Sequence, residues 1–269
     1  MKKRAGLILT LLVIFLFSAA GCGGQAGNEA SPPGGISAQT PEINVSAAAS
    51  LTQALEEIGA AYSKEKDVAI HFNFGGSGAL QKQIEEGAPC DVFFSASKAN
   101  MDALETAGLL AEGSRKDLLG NRLVLIAAAE KKAVVSGYES LADSAVESVA
   151  IGTPETVPAG MYARQALQNL NIWDQIRDKI IYAKDVRQVL EYVDTGNSDC
   201  GLVYKTDSLV MKTGIVVMEI PENSHDPIVY PVALMRDSVQ KEEVAEFYEY
   251  LQSDDSKTVF EKYGFTVYQ

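Results

Sequence analysis

The stretch NFGGSGALQKQI, Asn73 to Ile84, puts a glycine-rich turn between an apolar segment and an amphipathic one. The preceding VAIHFNF (68–74) reads as a strand, and ALQKQIEEG (79–87) as a helix. A strand–turn–helix unit is the building block of an α/β fold. Flexible backbone at a helix start suits an anion, because free N–H groups and the positive end of the helix dipole both point there. Two familiar anion and acyl devices do not fit. A phosphate loop needs a lysine and a hydroxyl after its second glycine, where this chain has Gly78-Ala79-Leu80. A nucleophile elbow needs glycine at position 79, which is alanine. The turn is built to hold something other than a nucleotide or an acyl group.

Outward from this turn the same alternation continues. EINVSAA (42–48) is a strand, followed by LTQALEEIGAAYSKE (51–65), a helix with Leu51, Ala54, Leu55, Ile58 and Tyr62 on one face. CDVFFSA, NRLVLIAA, SVAIGTP, KIIYA, CGLVYKTD and IVYPVALM read as further strands, with helices at KANMDALETAG, AGMYARQALQNL, DVRQVLEYVDTG, EEVAEFYEYLQ and SKTVFEKYG. The pattern predicts an α/β protein with largely parallel sheets and a ligand at the carboxyl ends of the strands. Two such sets, with NRLVLIAA and IVYPVALM as crossovers, predict two lobes around a cleft. Lobe 1 is expected over residues 42–122 with 231–269, and lobe 2 over 123–230.

The formal net charge of −13 includes Lys2, Lys3 and Arg4, so the rest of the chain is more acidic still. Such a body excludes nucleic acid as a partner, since that binding relies on clustered Lys and Arg. It also repels anions at long range, so an anion site must work by local hydrogen bonding. The opening MKKRAGLILTLLVIFLFSAAGC reads as a signal peptide over residues 1–21: a cationic start, an apolar run from Ala5 to Phe17, and small residues before Cys22. The run is short for a membrane span, which needs about 20 residues. Its ending is similar to a bacterial lipoprotein signal, with Ala19 where Leu is more usual, and this predicts Cys22 as a lipid-bearing N-terminus. Residues 22–41, rich in Gly, Ser, Pro and Ala, are expected to form a flexible tether. Cys90 and Cys200 each precede a short apolar strand in a different lobe, which predicts two free thiols.

Several stretches in order carry a family resemblance: VSAAASLTQAL, GGSGALQKQIEEGAPCDVFFSAS, GTPETVPAGMYARQAL, KDVRQVLEYV, GLVYKTD and the terminal EKYGFTVY. Together they resemble the periplasmic molybdate-binding proteins, the solute receptors of ABC-type molybdate importers. The resemblance implies a type II periplasmic-binding-protein fold, with two lobes closing on one oxyanion in the interlobe cleft. It implies a monomeric receptor, not an enzyme, that needs no cofactor. Its ligand would be molybdate or tungstate, and its partners a membrane permease and an ATPase. Carried over residue by residue, the ligand contacts fall at Ser50, Ser77, Ala159, Val186 and Tyr204, with the molybdenum held only through its oxygens. The family's first-lobe turn is often richer in serine, whereas glycine flanks Ser77 here.

The residues themselves fit this role, each with a plainer alternative. Ser50 precedes a helix, where a hydroxyl and free N–H groups meet, and equally suits a simple N-cap. Ser77 opens a helix, with Gly75, Gly76 and Gly78 letting backbone come close, and equally suits a tight turn. Pro158 suits a first helical turn, leaving the Ala159 and Gly160 amides to point outward. Val186 opens another helix, and Tyr204 ends a strand with a phenol; either residue also suits a core. No Lys or Arg stands at the five positions. At about 1.5–3 kcal/mol for each charge-assisted hydrogen bond, five residues supply about 8–15 kcal/mol before losses. A micromolar site needs about 8 kcal/mol and a nanomolar one about 12. A site of donors alone also disfavours hydrogen phosphate, whose proton would go unpaired at about 1–3 kcal/mol.

Three other readings compete. Sulfate is a tetrahedral oxyanion that the same donors suit. A hydrolase built on Ser50 or Ser77 needs a base, and the chain has only His71, inside a strand, and His225, in the loop PENSHDP. An iron receptor using tyrosines would have to draw on residues such as Tyr248 and Tyr250, which fall on a helix where packing and surface placement explain them.

Overall fold

The structure, a computed structural model, describes residues 40–268; the expected signal peptide, Cys22 and nearly all of the tether lie outside these residues. The chain begins with β1 (Glu42–Ala48), a 3-10 turn (Ala49–Leu51), α1 (Thr52–Lys66), β2 (Ala69–Gly75), α2 (Ser77–Glu85), β3 (Val92–Phe94), α3 (Lys98–Thr106) and β4 (Lys116–Gly120). It continues through β5 (Leu123–Ala127), β6 (Val149–Gly152), α4 (Pro158–Asn169), α5 (Trp173–Ile176), β7 (Ile180–Ala183), α6 (Val186–Asp194), β8 (Cys200–Tyr204), α7 (Lys205–Ser208) and β9 (Ile215–Glu219). It ends with β10 (Val229–Leu234), α8 (Glu242–Tyr250), α9 (Asp254–Lys262) and β11 (Thr266–Val267).

The strands form two sheets. One has six strands in the order β11-β4-β10-β3-β1-β2, the other five in the order β7-β6-β8-β5-β9. Strands joined through helices pair in parallel: β1 with β2 and β3, and β6 with β7 and β8. The two strands that enter a sheet directly from the other one, β5 and β10, pair antiparallel with their neighbours. Parallel pairing needs a long crossover, usually a helix, and these two arrivals have none. The sheets are therefore mixed rather than largely parallel. NRLVLIAA and IVYPVALM do carry the chain between sheets. The return, however, begins earlier than residue 231: Val229 and Tyr230 already pair with Gly120 and Leu119 of β4. Pro231, which has no N–H for a ladder, sits where that register shifts.

The core follows the apolar pattern. Ala54, Leu55, Ile58 and Tyr62 of α1 are buried, as is Leu51 just before it, and the Tyr62 ring packs on Phe247 and Tyr250 of α8 at 5.1 and 5.0 Å between centroids. Both cysteines are free thiols, Cys90 half-buried and Cys200 buried. Burial pushes the Cys90 thiol up to about 11 and the Cys200 thiol up to about 12. The thiolate is the reactive form, so both should resist a thiol reagent in the native protein and react once it is denatured. Fast labelling of the folded protein would show that one of them is exposed.

Candidate functional site

Four of the five predicted residues stand at helix starts, where the first N–H groups have no helical partner. Ser77 is the first residue of α2, after the extended Gly76. Ala159 is the second residue of α4, behind Pro158, whose missing N–H falls where none is needed. Val186 opens α6, capped by the Asp185 carboxylate, which accepts from the Gln188 amide at 2.8 Å. Gln188 Oε1 in turn accepts from the Lys184 N–H at 2.8 Å, a reciprocal cap of the capping-box kind. Ser50 lies inside the 3-10 turn rather than capping α1, and its side chain makes no cap bond. The helical path begins one turn early, at Ala49, and this frees the Ser50 hydroxyl to reach Tyr230 Oη at 2.9 Å. Tyr204 ends β8.

All five residues line one tight cavity, with about 10 Å³ open to the centre of a water-sized sphere, together with Ala48, Ala49, Gly75, Gly76, Ala96, Val157 and Pro158. That is far below the range for drug-sized ligands, so the lobes are closed tightly around this spot. No charged side chain lines it. The Ser77 hydroxyl accepts from the Ala96 N–H at 3.0 Å. The Tyr204 hydroxyl is buried without a hydrogen-bond partner among the described residues. Burial holds that phenol's pKa well above its ordinary value, so it keeps its proton. An unpaired buried donor of this kind costs about 1–3 kcal/mol unless a ligand satisfies it.

Two glycines of the opening turn have a task besides the one expected, while Gly75 and Gly76 also line the cavity. Gly78 N–H donates across the cleft to the Thr156 carbonyl at 2.9 Å. A Cβ on Gly78 would meet Thr156 Cα at 2.9 Å, and one on Gly76 would meet the Thr156 carbonyl at 2.7 Å. These two glycines let the lobes touch backbone to backbone. Of the turn's amides, Gly78's is thus spent on closure. Gly160 is likewise not an outward donor: its N–H returns to the Val157 carbonyl at 2.9 Å, and a Cβ there would lie 1.8 Å from the Gly152 carbonyl. It is glycine so that α4 can lie against β6.

Arg187, next to Val186, went unnoticed in the sequence. Its guanidinium crosses the cleft to the carbonyls of Ala49 and Ser50 at 3.3 and 3.4 Å and also reaches Gln53 Oε1. Behind it, Nε lies 2.9 Å from Oδ1 of the fully buried Asp207. The contact is ionic rather than a well-aligned hydrogen bond, since both Asp207 oxygens lack one. Burial pushes this carboxyl up to about 6, against the pull of Arg187. A cation directly after Val186, the second one in KDVR, was the available signal.

Neither histidine lines the cavity. His71 is exposed on β2, 3.7 Å from Glu42, and His225 turns Nδ1 to the Asp226 carbonyl. Tyr248 is buried, with its hydroxyl on the Ser114 carbonyl, and no group of three or more His, Cys, Asp or Glu among the described residues is arranged to hold a metal ion.

Residues 43–266 match the family described as bacterial extracellular solute-binding protein, and this chain belongs to it. Among its relatives is a protein of Bacillus subtilis provisionally named ABC transporter substrate-binding lipoprotein YvgL, 45% identical over 267 residues and covering 99% of both chains. The molybdate-binding protein ModA of Haemophilus influenzae is 39% identical over 237 residues, 85% of this chain and 91% of its own. The solved structure of the Azotobacter vinelandii periplasmic molybdate-binding protein matches with a TM-score of 0.75 at 24% identity, over 84% of this chain and all of that one. That likeness shows the fold, the two-lobed α/β architecture of periplasmic binding proteins.

Proposed function

We propose that this chain is the receptor of an ABC importer for molybdate, with tungstate as a second ligand. The observation that carries the reading is the convergence of Ser50, Ser77, Ala159, Val186 and Tyr204 on one small cavity without a charged side chain. The names of its relatives point the same way. The five residues hold the anion by neutral donors, and an anion bridging both lobes favours the closed form, which then presents itself to a permease powered by an ATPase. No catalysis is assigned to it, since neither serine has a base beside it. On this reading Cys22 carries a lipid that keeps the monomeric receptor at the outer face of the membrane, through the tether.

Calorimetry with molybdate, tungstate, sulfate and phosphate tests the proposal. The two metalates should bind tightly and one to one, and phosphate far more weakly. Ser77→Ala and Tyr204→Phe should each weaken molybdate by about tenfold or more, the worth of one charge-assisted hydrogen bond. Sulfate binding as tightly as molybdate would make the protein a general oxyanion receptor, and unchanged affinity in both variants would remove these residues from the site.

A further inference from the structure

The backbone fixes the first link of one hydrogen-bond chain behind the cavity. Asn121 lies in the crossover from β4 to β5, and its Oδ1 accepts from the Arg122 N–H at 2.9 Å. A backbone N–H can only donate, so the amide has one orientation and turns its NH₂ group the other way. That group donates to Thr206 Oγ1 at 2.9 Å and to Tyr230 Oη at 3.1 Å. Tyr230 stands on the return crossover, buried, and burial holds its phenol's pKa well above the ordinary value. It accepts from Asn121, keeps its single proton, and has Ser50 Oγ at 2.9 Å on its far side.

Resting on the oxyanion reading above, we propose that Asn121 and Tyr230 are positioning residues that set the Ser50 hydroxyl as a donor toward the cavity and so exclude protonated oxyanions. In this arrangement Tyr230, already accepting from Asn121, gives its proton to Ser50 Oγ, and the serine's own proton is left for the ligand. Ser77 is arranged the same way, its oxygen occupied by the Ala96 N–H. A fully deprotonated anion accepts both protons. Hydrogen phosphate could hand its proton to a serine lone pair only by leaving the serine's proton unpaired in a buried site, which is unfavourable.

Asn121→Asp reverses the chain. Its carboxylate would still accept from Arg122 but would take the Tyr230 proton, so Ser50 would donate to Tyr230 and turn a lone pair to the cavity. The affinity ratio of molybdate to inorganic phosphate, measured by calorimetry at a mildly alkaline pH where phosphate is a dianion, should fall by about tenfold or more. The added charge repels both dianions alike and drops out of the ratio. In the Tyr230→Phe background, where the chain is cut, Asn121→Asp should leave the ratio within about twofold, because coupling through a shared partner vanishes with the partner. If Asn121→Asp does not fold, Asn121→Ala, which deletes the donor without adding charge, should lower the ratio by about threefold for the same reason. Wild-type protein that binds molybdate, with a ratio that Asn121 variants leave unchanged or change equally without Tyr230, overturns the positioning role alone. Wild-type protein that does not bind molybdate overturns the oxyanion reading together with it.

Discussion

Gly78→Ala is expected to weaken molybdate binding about a hundredfold while leaving the unliganded protein as stable as before, or more so. The added methyl would lie 2.9 and 3.0 Å from Thr156 Cα and O, both backbone atoms that cannot swing away. The lobes must part by several tenths of an ångström, and the Gly78–Thr156 hydrogen bond is lost. Every bond from the anion to Ala159, Val186 and Tyr204 then lengthens at once. Losing about half of three bonds worth about 1.5–3 kcal/mol each removes roughly 3 kcal/mol, or about two orders of magnitude in affinity. Stability moves the other way, because Gly78 is helical and alanine is the better helix former by up to about 1 kcal/mol. Calorimetry with a thermal melt of the free protein separates the two effects. A dissociation constant within threefold of wild type would show that the lobes need not touch here.

Arg187→Met should weaken molybdate about thirtyfold, with a much smaller effect on folding. Breaking a buried ion pair usually costs about 3–5 kcal/mol, because a charge is stranded. Asp207 has a cheaper route. Its carboxyl titrates at about 6, so taking up a proton at neutral pH costs about 1.4 kcal/mol per unit, and less once the charge that lowers it is gone. What the variant loses is the set of cross-cleft contacts to Ala49, Ser50 and Gln53. At these long distances they are worth about 2 kcal/mol together. The pH dependence identifies the cause. A carboxyl with a folded value near 6 and an ordinary value of 3.8 binds its proton first in the folded state, so this group adds stability as pH falls from about 6 toward 3.8. In Arg187→Met the folded value rises, and the same slope should extend above neutral pH. Chemical denaturation across pH, compared between the two proteins, reads this directly; identical slopes would mean that Arg187 and Asp207 do not interact.

The elements were legible in the sequence because the periodicity that makes them is local. The buried face of α1 was readable from its spacing, and so were the helix starts behind Ser77, Pro158 and Asp185. The site residues were nameable through the family's motifs, and the sequence alone left Val186 and Tyr204 open between ligand and core. The remainder depends on partners far along the chain. Nothing near Ser50 announces that its hydroxyl belongs to Tyr230, 180 residues away, so the cap reading was the natural local one. Gly76 and Gly78 looked like room for a ligand, because glycine shows only that something comes close, not what. Gly160 was read for its amide, which a carbonyl three residues back already holds. The antiparallel entries of β5 and β10 follow from the chain's changing sheets without a helix, a fact of connection rather than composition.

The six-stranded sheet has a consequence for the order in which the molecule is finished. Its second and fourth strands in space, β4 and β3 flanking β10, come from the first half of the chain, while β10 itself comes from near the end. Until residues 229–234 arrive, β3 and β4 have no common neighbour, and Phe94 waits for Val232 as its partner. A chain emerging from its N-terminus can therefore complete the five-stranded sheet while the lobe that starts it is still open. Pairings this distant in sequence close slowly. The last forty or so residues thus serve as the fastening of the first lobe: a chain cut short of them leaves β3 and β4 without the strand that joins them.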